Sequence, residues 1–365
     1  MLNGIQIQEG LTKLIVPVDH SVNGPGRIND SIFFNEQMAF NRDVSVMFLR
    51  ALGKKITVAD AMSATGSRAV RIAKEVPNSI VTANDINSDA IPYIEANIEL
   101  NELTNCTSSR KNLHSLLAEN VFDYIDIDPF GSPMPFLHSA IQGCKRYGIL
   151  AITATDTAPL AGAHRAKCER RYQSRPIRGP MCHEGGLRIL LATMAREMAK
   201  FDKGMTPVLS FYADHYFRVY IHIEDGAGNA DDSLSKLVYL SYNPETLERS
   251  ISKEMDKDHK YGPFWGGQLF DKEHLSKMDP TNTAKEKRCI KMLDLWKHEI
   301  DDIPYLYDMS EISSYLKIST PRYETFLEKM NECGKTSATH MGPTLFKTEL
   351  ELKEILSIFK EHSPM

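Results

Sequence analysis

The stretch KKITVADAMSATGSRAVRIAKEVPNSIVTAND, residues 54–85, decides the fold. KKITVAD (54–60) has the length and apolar texture of a buried strand, SRAVRIAKEV (67–76) has helical spacing, and SIVTAND (79–85) is a second strand. Two strands joined through a helix lie parallel, with a right-handed crossover. Outward from here the alternation continues. DAIPYIEANIELN (89–101) reads as a helix, VFDYIDIDPF (121–130) as a strand, PMPFLHSAIQGCKR (133–146) as a helix and GILAITATD (148–156) as a strand. This βαβα punctuation predicts an α/β chain with a Rossmann-like, doubly wound, mostly parallel sheet. HEGGLRILLATMAREMAKF (183–201) reads as an amphipathic helix, and TPVLSFYA (206–213) with YFRVYIHIED (216–225) as a closing antiparallel pair. After DGAGNADD (225–232) the texture turns to acidic, Lys-rich helical stretches such as NTAKEKRCIKMLDLWKHEI (282–300). We therefore expect a boundary near residue 226, with domains 1–226 and a smaller α+β region, 227–365.

A length of 365 residues suits two such domains, and a charged fraction of 25% excludes a disordered or fibrous chain. The net charge of −5 argues at first against a nucleic-acid partner. Its distribution says otherwise. Residues 1–226 carry 24 basic and 24 acidic side chains, and 227–365 carry 19 and 24, so the excess lies in the last third. A polyanion would need a concentrated basic patch, and HRAKCERRYQSRPIRG (164–179) supplies one. Arg165, Lys167, Arg170, Arg171, Arg175 and Arg178 stand there against Glu169, with Tyr172 interleaved as an aromatic surface. The bland alternative is a solvated basic loop. The six cysteines are scattered without a CxxC pair, which excludes a zinc ribbon of usual spacing and a disulfide framework. No apolar run approaches the ~18 residues of a membrane helix. MLNGIQIQEG lacks the features of a signal peptide, so a cytoplasmic protein is expected.

The loop after the first strand, ADAMSATGSRA (59–69), carries one glycine, Gly66, where a dinucleotide site wants G-x-G-x-x-G to approach a pyrophosphate. S-adenosylmethionine has no phosphate and accepts this looser turn, with Asp60 at the strand end. Asp85, at the end of the second strand, is placed to accept hydrogen bonds from ribose hydroxyls. Its competing role is to cap the helix that starts near Ser88.

The strand ending Asp126-Ile127-Asp128-Pro129-Phe130-Gly131 puts Ile127 into the sheet and both acids on the other face, toward the ligand-binding carboxyl edge. An acid followed by proline and an aromatic suits methylation of an exocyclic base amine. That amine is a poor nucleophile, and a carboxylate accepting its N–H takes the proton as the methyl arrives. The Pro129 carbonyl can accept the second N–H, and Phe130 can stack on the base. A plain Asp-Pro turn ending a strand is the alternative.

Together these blocks resemble the tRNA (guanine-N2)-dimethyltransferase family, which methylates the guanine joining the D stem and the anticodon stem. The resemblance runs nearly end to end. It includes EG (9–10), FFNEQMAFNRDVS (33–45), DAMSATGSRAVR (60–71), DIDPFGSP (126–133) and TATDTAPLAG (153–162). It continues through RRYQSRPIRG (170–179), HEGGLRILLA (183–192), DHYFRV (214–219), GPFWGGQLFD (262–271) and THMGPTLFKT (339–348). It implies a class I S-adenosylmethionine methyltransferase domain and a C-terminal tRNA-recognition domain. It also implies one or two methyl transfers to the N2 amine of guanine 26 in tRNA, the base being flipped into a pocket.

By the same resemblance Arg42 and Arg68 are cofactor contacts, Asp85 the ribose acid, Asp128 the proton acceptor, and Phe130 with Phe33 the walls of the guanine pocket. Without the motifs, Arg42 and Arg68 would read as cations on solvated helices. Two departures stand out. Where the family has Asp-Ala-Asn, this chain reads Asn112-Leu113-His114, so Asn112 and Leu113 are expected at the adenine. The family's paired CxxC motifs are missing from 237–261, so no metal is expected. His183 and Glu184 do not complete HExxH, because position 187 is Leu; they read as a helix start with a packing or substrate-orienting role. In the acidic C-terminal part, His340 and Lys347 are expected at the RNA backbone. No obligatory protein partner and no membrane is expected. Two other readings stand beside this one. A methyltransferase for another amine, such as DNA adenine or a different tRNA guanine, would be separated by mass spectrometry of the modified nucleosides. A tRNA-binding protein with a weakened cofactor site, suggested by Asn112, would be separated by calorimetry with S-adenosylmethionine.

Overall fold

A computed structural model describes residues 2–22, 32–301 and 306–364, and the chain divides into two compact units. The first comprises Met1–Ala154, Tyr220–Glu224 and Asp271–Leu293. Its chain opens with an antiparallel hairpin, β1 (Gly4–Glu9) and β2 (Thr12–Pro17), followed by helix α1 (Ala39–Leu52). Strand β3 (Ile56–Asp60), α2 (Ser67–Glu75), β4 (Ser79–Asn84), α3 (Ala90–Leu100), β5 (Cys106–Ser109), α4 (Leu113–Glu119), β6 (Phe122–Ile127), α5 (Met134–Gly143) and β7 (Cys144–Ala154) then alternate, with β5 and α4 added to the elements expected. The strands pair in parallel in the order β5-β4-β3-β6-β7. From β3 the chain winds outward to β4 and β5, then returns to β6 on the other side of β3. That reversal opens a crevice at the carboxyl ends of β3 and β6, where open α/β sheets bind their ligands.

The central strands are buried on both faces, so Val58, Ile125 and Leu150 read as apolar runs rather than as alternation. The hairpin is fastened by α3. Asn97 accepts the Ile15 N–H at 2.6 Å and donates to the Ile15 carbonyl at 3.0 Å and the Thr65 carbonyl at 2.9 Å, so it also fixes the loop after β3.

The second unit comprises Thr155–Val219, Asp225–Phe270 and Asp294–Met365. It holds α6 (Thr157–Leu160), α7 (Arg165–Tyr172), α8 (Cys182–Ala199) and β8 (Lys203–Ala213), which turns through Asp214 and His215 into β9 (Tyr216–Asp225). Two three-stranded antiparallel sheets follow. One has the order Arg249–Ser252, Leu237–Tyr242, Tyr261–Trp265, and the other the order Tyr307–Asp308, Leu345–Thr348, Thr336–Ala338. The second packs on helices through a cluster that includes Ile312, Phe326, Phe346 and Phe359.

The compact units do not follow a single cut at residue 226. The buried side chain of Arg188, on α8, donates to the carbonyls of Trp265, Gly267 and Asp301 at 2.7, 2.9 and 2.9 Å, so α8 packs with later residues. Conversely, Asp43 accepts the Ala284 and Lys285 N–H groups at 2.9 and 2.7 Å, drawing a late segment into the first unit. A shift in composition along the chain cannot register such interleaving. Nor is α8 amphipathic: Glu184 to Ala195 are all buried. Its paired glycines explain the close approach, since a Cβ at Gly186 would meet the Phe217 ring at 2.7 Å and one at Gly185 would meet Ile177 at 2.9 Å. No helix among the described residues is long and apolar enough to cross a membrane.

Candidate active site

Neighbouring strands bring two acids together at the carboxyl edge, with Asp60 of β3 directly opposite Asp126 of β6. Both are buried. Among the described residues, one cation faces them. Gly66 takes a left-handed conformation at φ 76°, which turns the loop into α2 and brings Arg68 into the first helical turn. Arg68 Nη2 donates to Asp128 Oδ2, and its Nε lies 3.6 Å from Asp126 Oδ1. Arg68 Nη1 donates to Asn41 Oδ1 at 2.8 Å and to Ser45 Oγ at 2.7 Å, both on α1. The Tyr124 hydroxyl donates to Asp126 Oδ2 at 2.7 Å.

Among the described residues the cluster sets three carboxylates against one guanidinium. Burial, reinforced by the charge of Asp126, pushes the Asp60 carboxyl up to about 7, against the opposing pull of Arg68 and the Ser63 hydroxyl. Asp60 Oδ2 and Asn41 Nδ2 are buried and lack hydrogen-bond partners among the described residues. A buried acceptor and a buried donor, beside an excess of negative charge, are complementary to a zwitterion that carries an extra cation. The methionine end of S-adenosylmethionine, with its ammonium, carboxylate and sulfonium, has that chemistry. The residues fit the cofactor.

At the end of β4, Asp85 accepts the Ala64 N–H at 2.8 Å through Oδ2 and the Asn87 N–H at 2.9 Å through Oδ1. It does not cap α3, whose N-cap is Asp89. The adjacent Asn84 has a role that the sequence pattern does not signal. Buried, it donates to the Ala61 and Lys111 carbonyls at 3.1 and 3.0 Å and accepts the Lys111 N–H at 3.0 Å, tying three loops of this edge together. Asn112 caps α4, its Oδ1 accepting the His114 N–H at 2.9 Å, and Leu113 is buried behind it.

Phe33 and Phe130 meet edge to face, with ring centroids 4.8 Å apart. Phe130 is 53% exposed and Pro129 is buried. The Asp128 side chain is 17% exposed, and its Oδ1 has no hydrogen-bond partner among the described residues. Arg42 lies elsewhere in the network. Its Nε and Nη2 grip Glu9 at 2.8 and 2.6 Å, Nη2 also donates to the Asn35 carbonyl at 3.0 Å, and the Phe34 ring lies 4.8 Å away. Burial opposes the charge on Glu9, yet Arg42 and Arg71 together hold its carboxyl below the ordinary value.

The basic stretch belongs to the second unit and is divided in use. Arg165, Arg170, Arg171 and Arg178 are exposed, whereas Lys167 and Arg175 are half-buried and the Arg175 guanidinium lies 5.6 Å from the Tyr261 ring. Arg165 pairs with Glu169 at 2.7 Å and Arg171 with Asp156 at 3.0 Å. Tyr172 is not an aromatic surface: it is fully buried, its hydroxyl donating to Asp156 at 2.6 Å. Nor do His340 and Lys347 face outward. Glu299 takes the His340 ring nitrogen at 2.7 Å and lies 3.2 Å from Lys347 Nζ, and Glu184 lies 3.0 Å from the same ammonium, so both bases are buried by partners that residue type alone does not disclose. Glu184 thus serves packing, and His183 stacks on Tyr212 at 4.0 Å.

Comparison with known proteins places these residues in context. A family model described as N2,N2-dimethylguanosine tRNA methyltransferase matches residues 16–360. The tRNA (guanine(26)-N(2))-dimethyltransferase of Pyrococcus horikoshii is 38% identical over 98% of both chains. The enzyme of the same name from Methanococcus maripaludis is 32% identical, again over 98% of both. A solved structure of Trm1 from Pyrococcus horikoshii in complex with S-adenosyl-L-methionine superposes with a TM-score of 0.89 at 36% identity, covering 99% of this chain and 100% of that one.

Proposed function

The chain belongs to the N2,N2-dimethylguanosine tRNA methyltransferase family, and from that premise we propose how the crevice between β3 and β6 carries the family's reaction. The protein is an S-adenosylmethionine-dependent methyltransferase acting on the N2 amine of guanine 26 in tRNA, giving N2-methyl- and N2,N2-dimethylguanosine. When bound, S-adenosylmethionine supplies an electrophilic methyl group. Asp60, Asn41 and Arg68 hold its amino-acid end, Asp85 its ribose, and Asn112 with Leu113 its adenine. Arg42 works through the Glu9 clamp that fixes the start of α1.

The chemistry assigned to the protein is proton removal. The guanine amine is weakly nucleophilic because its lone pair is delocalised into the ring. Asp128 Oδ1 accepts an N2–H, and the Pro129 carbonyl accepts the other in the first transfer. As the new N–C bond forms, the proton passes to Asp128, a step worth about 10²–10⁴ in rate. Phe33 and the exposed face of Phe130 receive the flipped base, whose extraction costs a few kcal/mol. The observation that carries this reading is the Asp128 carboxylate, anchored through one oxygen and without a partner on the other among the described residues, beside an exposed aromatic.

The exposed Arg165, Arg170, Arg171 and Arg178 bind the tRNA backbone, with Lys167 and Arg175 supporting them from half-buried positions. Residues 227–365 contribute to the choice of tRNA. The chain works in the cytoplasm, without an obligatory protein partner. Incubating it with an unmodified tRNA transcript and methyl-labelled cofactor, then mapping the methylated nucleoside by mass spectrometry, tests the assignment. Modification at guanine 26, absent with Asp128→Ala, is expected. Label at another base, or in DNA, contradicts it.

A further inference from the structure

We propose that Tyr220, acting through Ser45, is a positioning residue for Asp128; this rests on the reading of Asp128 as the proton acceptor. Tyr220 lies on β9, in the part of that strand belonging to the first unit, and is fully buried. Its ring stacks on Phe48 with centroids 4.4 Å apart and 22° between planes, and Phe48 in turn lies 4.4 Å from the His274 ring. An apolar side chain would fill this place equally well. The chain instead buries a hydroxyl, which lies 2.9 Å from Ser45 Oγ.

Counting protons gives the direction of this contact. Arg68 can only donate, so Ser45 accepts from Arg68 Nη1 at 2.7 Å. The single Ser45 proton goes to the Asn41 carbonyl at 3.1 Å. Among the described residues, this leaves the Tyr220 O–H as the donor to Ser45. Two accepted hydrogen bonds polarise Ser45 and fix its oxygen, and Asn41 Oδ1 holds the same Arg68 nitrogen at 2.8 Å. One end of the guanidinium is thereby pinned. Its other end is held on Asp126, which is itself fixed by Tyr124. A planar fork held at both ends leaves its Nη2 one direction, toward Asp128 Oδ2. Oδ1 is then the oxygen left for the amine.

Among the described residues, the charged groups that face Arg68 are Asp126 and Asp128, with Asp60 beside them. Loss of the Tyr220 hydroxyl changes none of these charges and leaves the ring on Phe48. Its consequence is a less well directed carboxylate, which belongs to the chemical step rather than to the binding of tRNA.

The experiment is steady-state kinetics of the full chain with Tyr220→Phe, Ser45→Ala and Ser45→Thr, each also combined with Asp128→Asn. Tyr220→Phe and Ser45→Ala are expected to lower kcat by about tenfold with the KM for tRNA unchanged. Ser45→Thr, which keeps the hydroxyl, restores most of the rate. In the Asp128→Asn background, adding Tyr220→Phe produces no further loss. Wild-type kcat in Tyr220→Phe, alongside a crippled Asp128→Asn, overturns this inference alone. Full activity in Asp128→Asn overturns the underlying reading and this inference with it. A rise in KM at constant kcat, or a multiplicative loss in the Asp128→Asn background, leaves Tyr220 a packing residue and also overturns the inference.

Discussion

Arg68 and Arg71 sit one turn apart on α2, both buried, and the networks around them are opposites. Arg71 pairs with Asp43 at 2.7 Å, Glu75 at 2.9 Å and Glu9 at 3.4 Å. Arg42 and Arg50 add their charges to Glu9 and Glu75, and Thr12 donates to Glu75 at 2.8 Å. Three arginines thus face three carboxylates, and the network is closed. Among the described residues a single cation, Arg68, faces Asp60, Asp126 and Asp128, while Asp60 Oδ2 and Asn41 Nδ2 lack partners. Desolvated charges are tolerable when they are paired; an unbalanced set is sustained only if something else completes it. The closed network holds the hairpin, α1 and α2 together. The open one is shaped for a ligand.

The largest expected effect lies on the open side. Asp128→Ala should reduce methyl transfer by about 10²–10⁴ while S-adenosylmethionine affinity, read by calorimetry, stays near wild type. An active variant would remove the chemical distinction between the two networks. On the closed side, Arg71→Leu leaves Glu9 and Asp43 with too few partners. Urea unfolding should show a loss of about 3–5 kcal/mol, and an unchanged midpoint would mean the network is not structural.

The two networks should also respond to pH with opposite signs in the ligand-free protein. Asp60 is raised from its ordinary 3.8 to about 7, so the stability it contributes is complete below 3.8 and is lost as pH rises through about 7. Glu9 is lowered from 4.5, so its contribution is present above that value and is lost as pH falls through the folded-state value. Melting curves should accordingly find Asp60→Asn losing less stability than wild type between about pH 5 and pH 8, by about 2–3 kcal/mol. The smallest effect concerns the exposed cations of the second unit. Replacing Arg165, Arg170 or Arg178 by Gln should lower the salt slope of tRNA binding by about 1 each, with little change in stability. An unaltered slope would mean these side chains do not neutralise phosphate.

Much of the fold was legible in the sequence because the central strands are apolar runs ended by turn residues. Strand β5 was not: CTSS is four residues long, mostly polar, and lies at the sheet edge. The hairpin β1–β2 carries an alternating pattern in GIQIQE that could have been read, although three of those residues are exposed. In the site, chemistry-bearing residues stood out by type, whereas their pairings did not. Arg42 meets Glu9 across 33 residues and Ser45 meets Tyr220 across 175, distances over which local patterning carries no signal. Tyr172, His340 and Lys347 read as surface groups for the same reason, since the acids that bury them are remote. Asp126 was visible as the neighbour of Asp128, but its register with Asp60, which creates the charge excess, is a property of the sheet.

The most direct measurement of that excess is the proton count on cofactor binding. Titrating S-adenosylmethionine into the protein at about pH 6, in buffers of different ionisation enthalpy, should show close to one proton released, because a cationic ligand forces the protonated Asp60 to ionise. Asp60→Asn should bind more weakly and release none. Binding of equal strength in both proteins, with no proton released from either, would contradict the account.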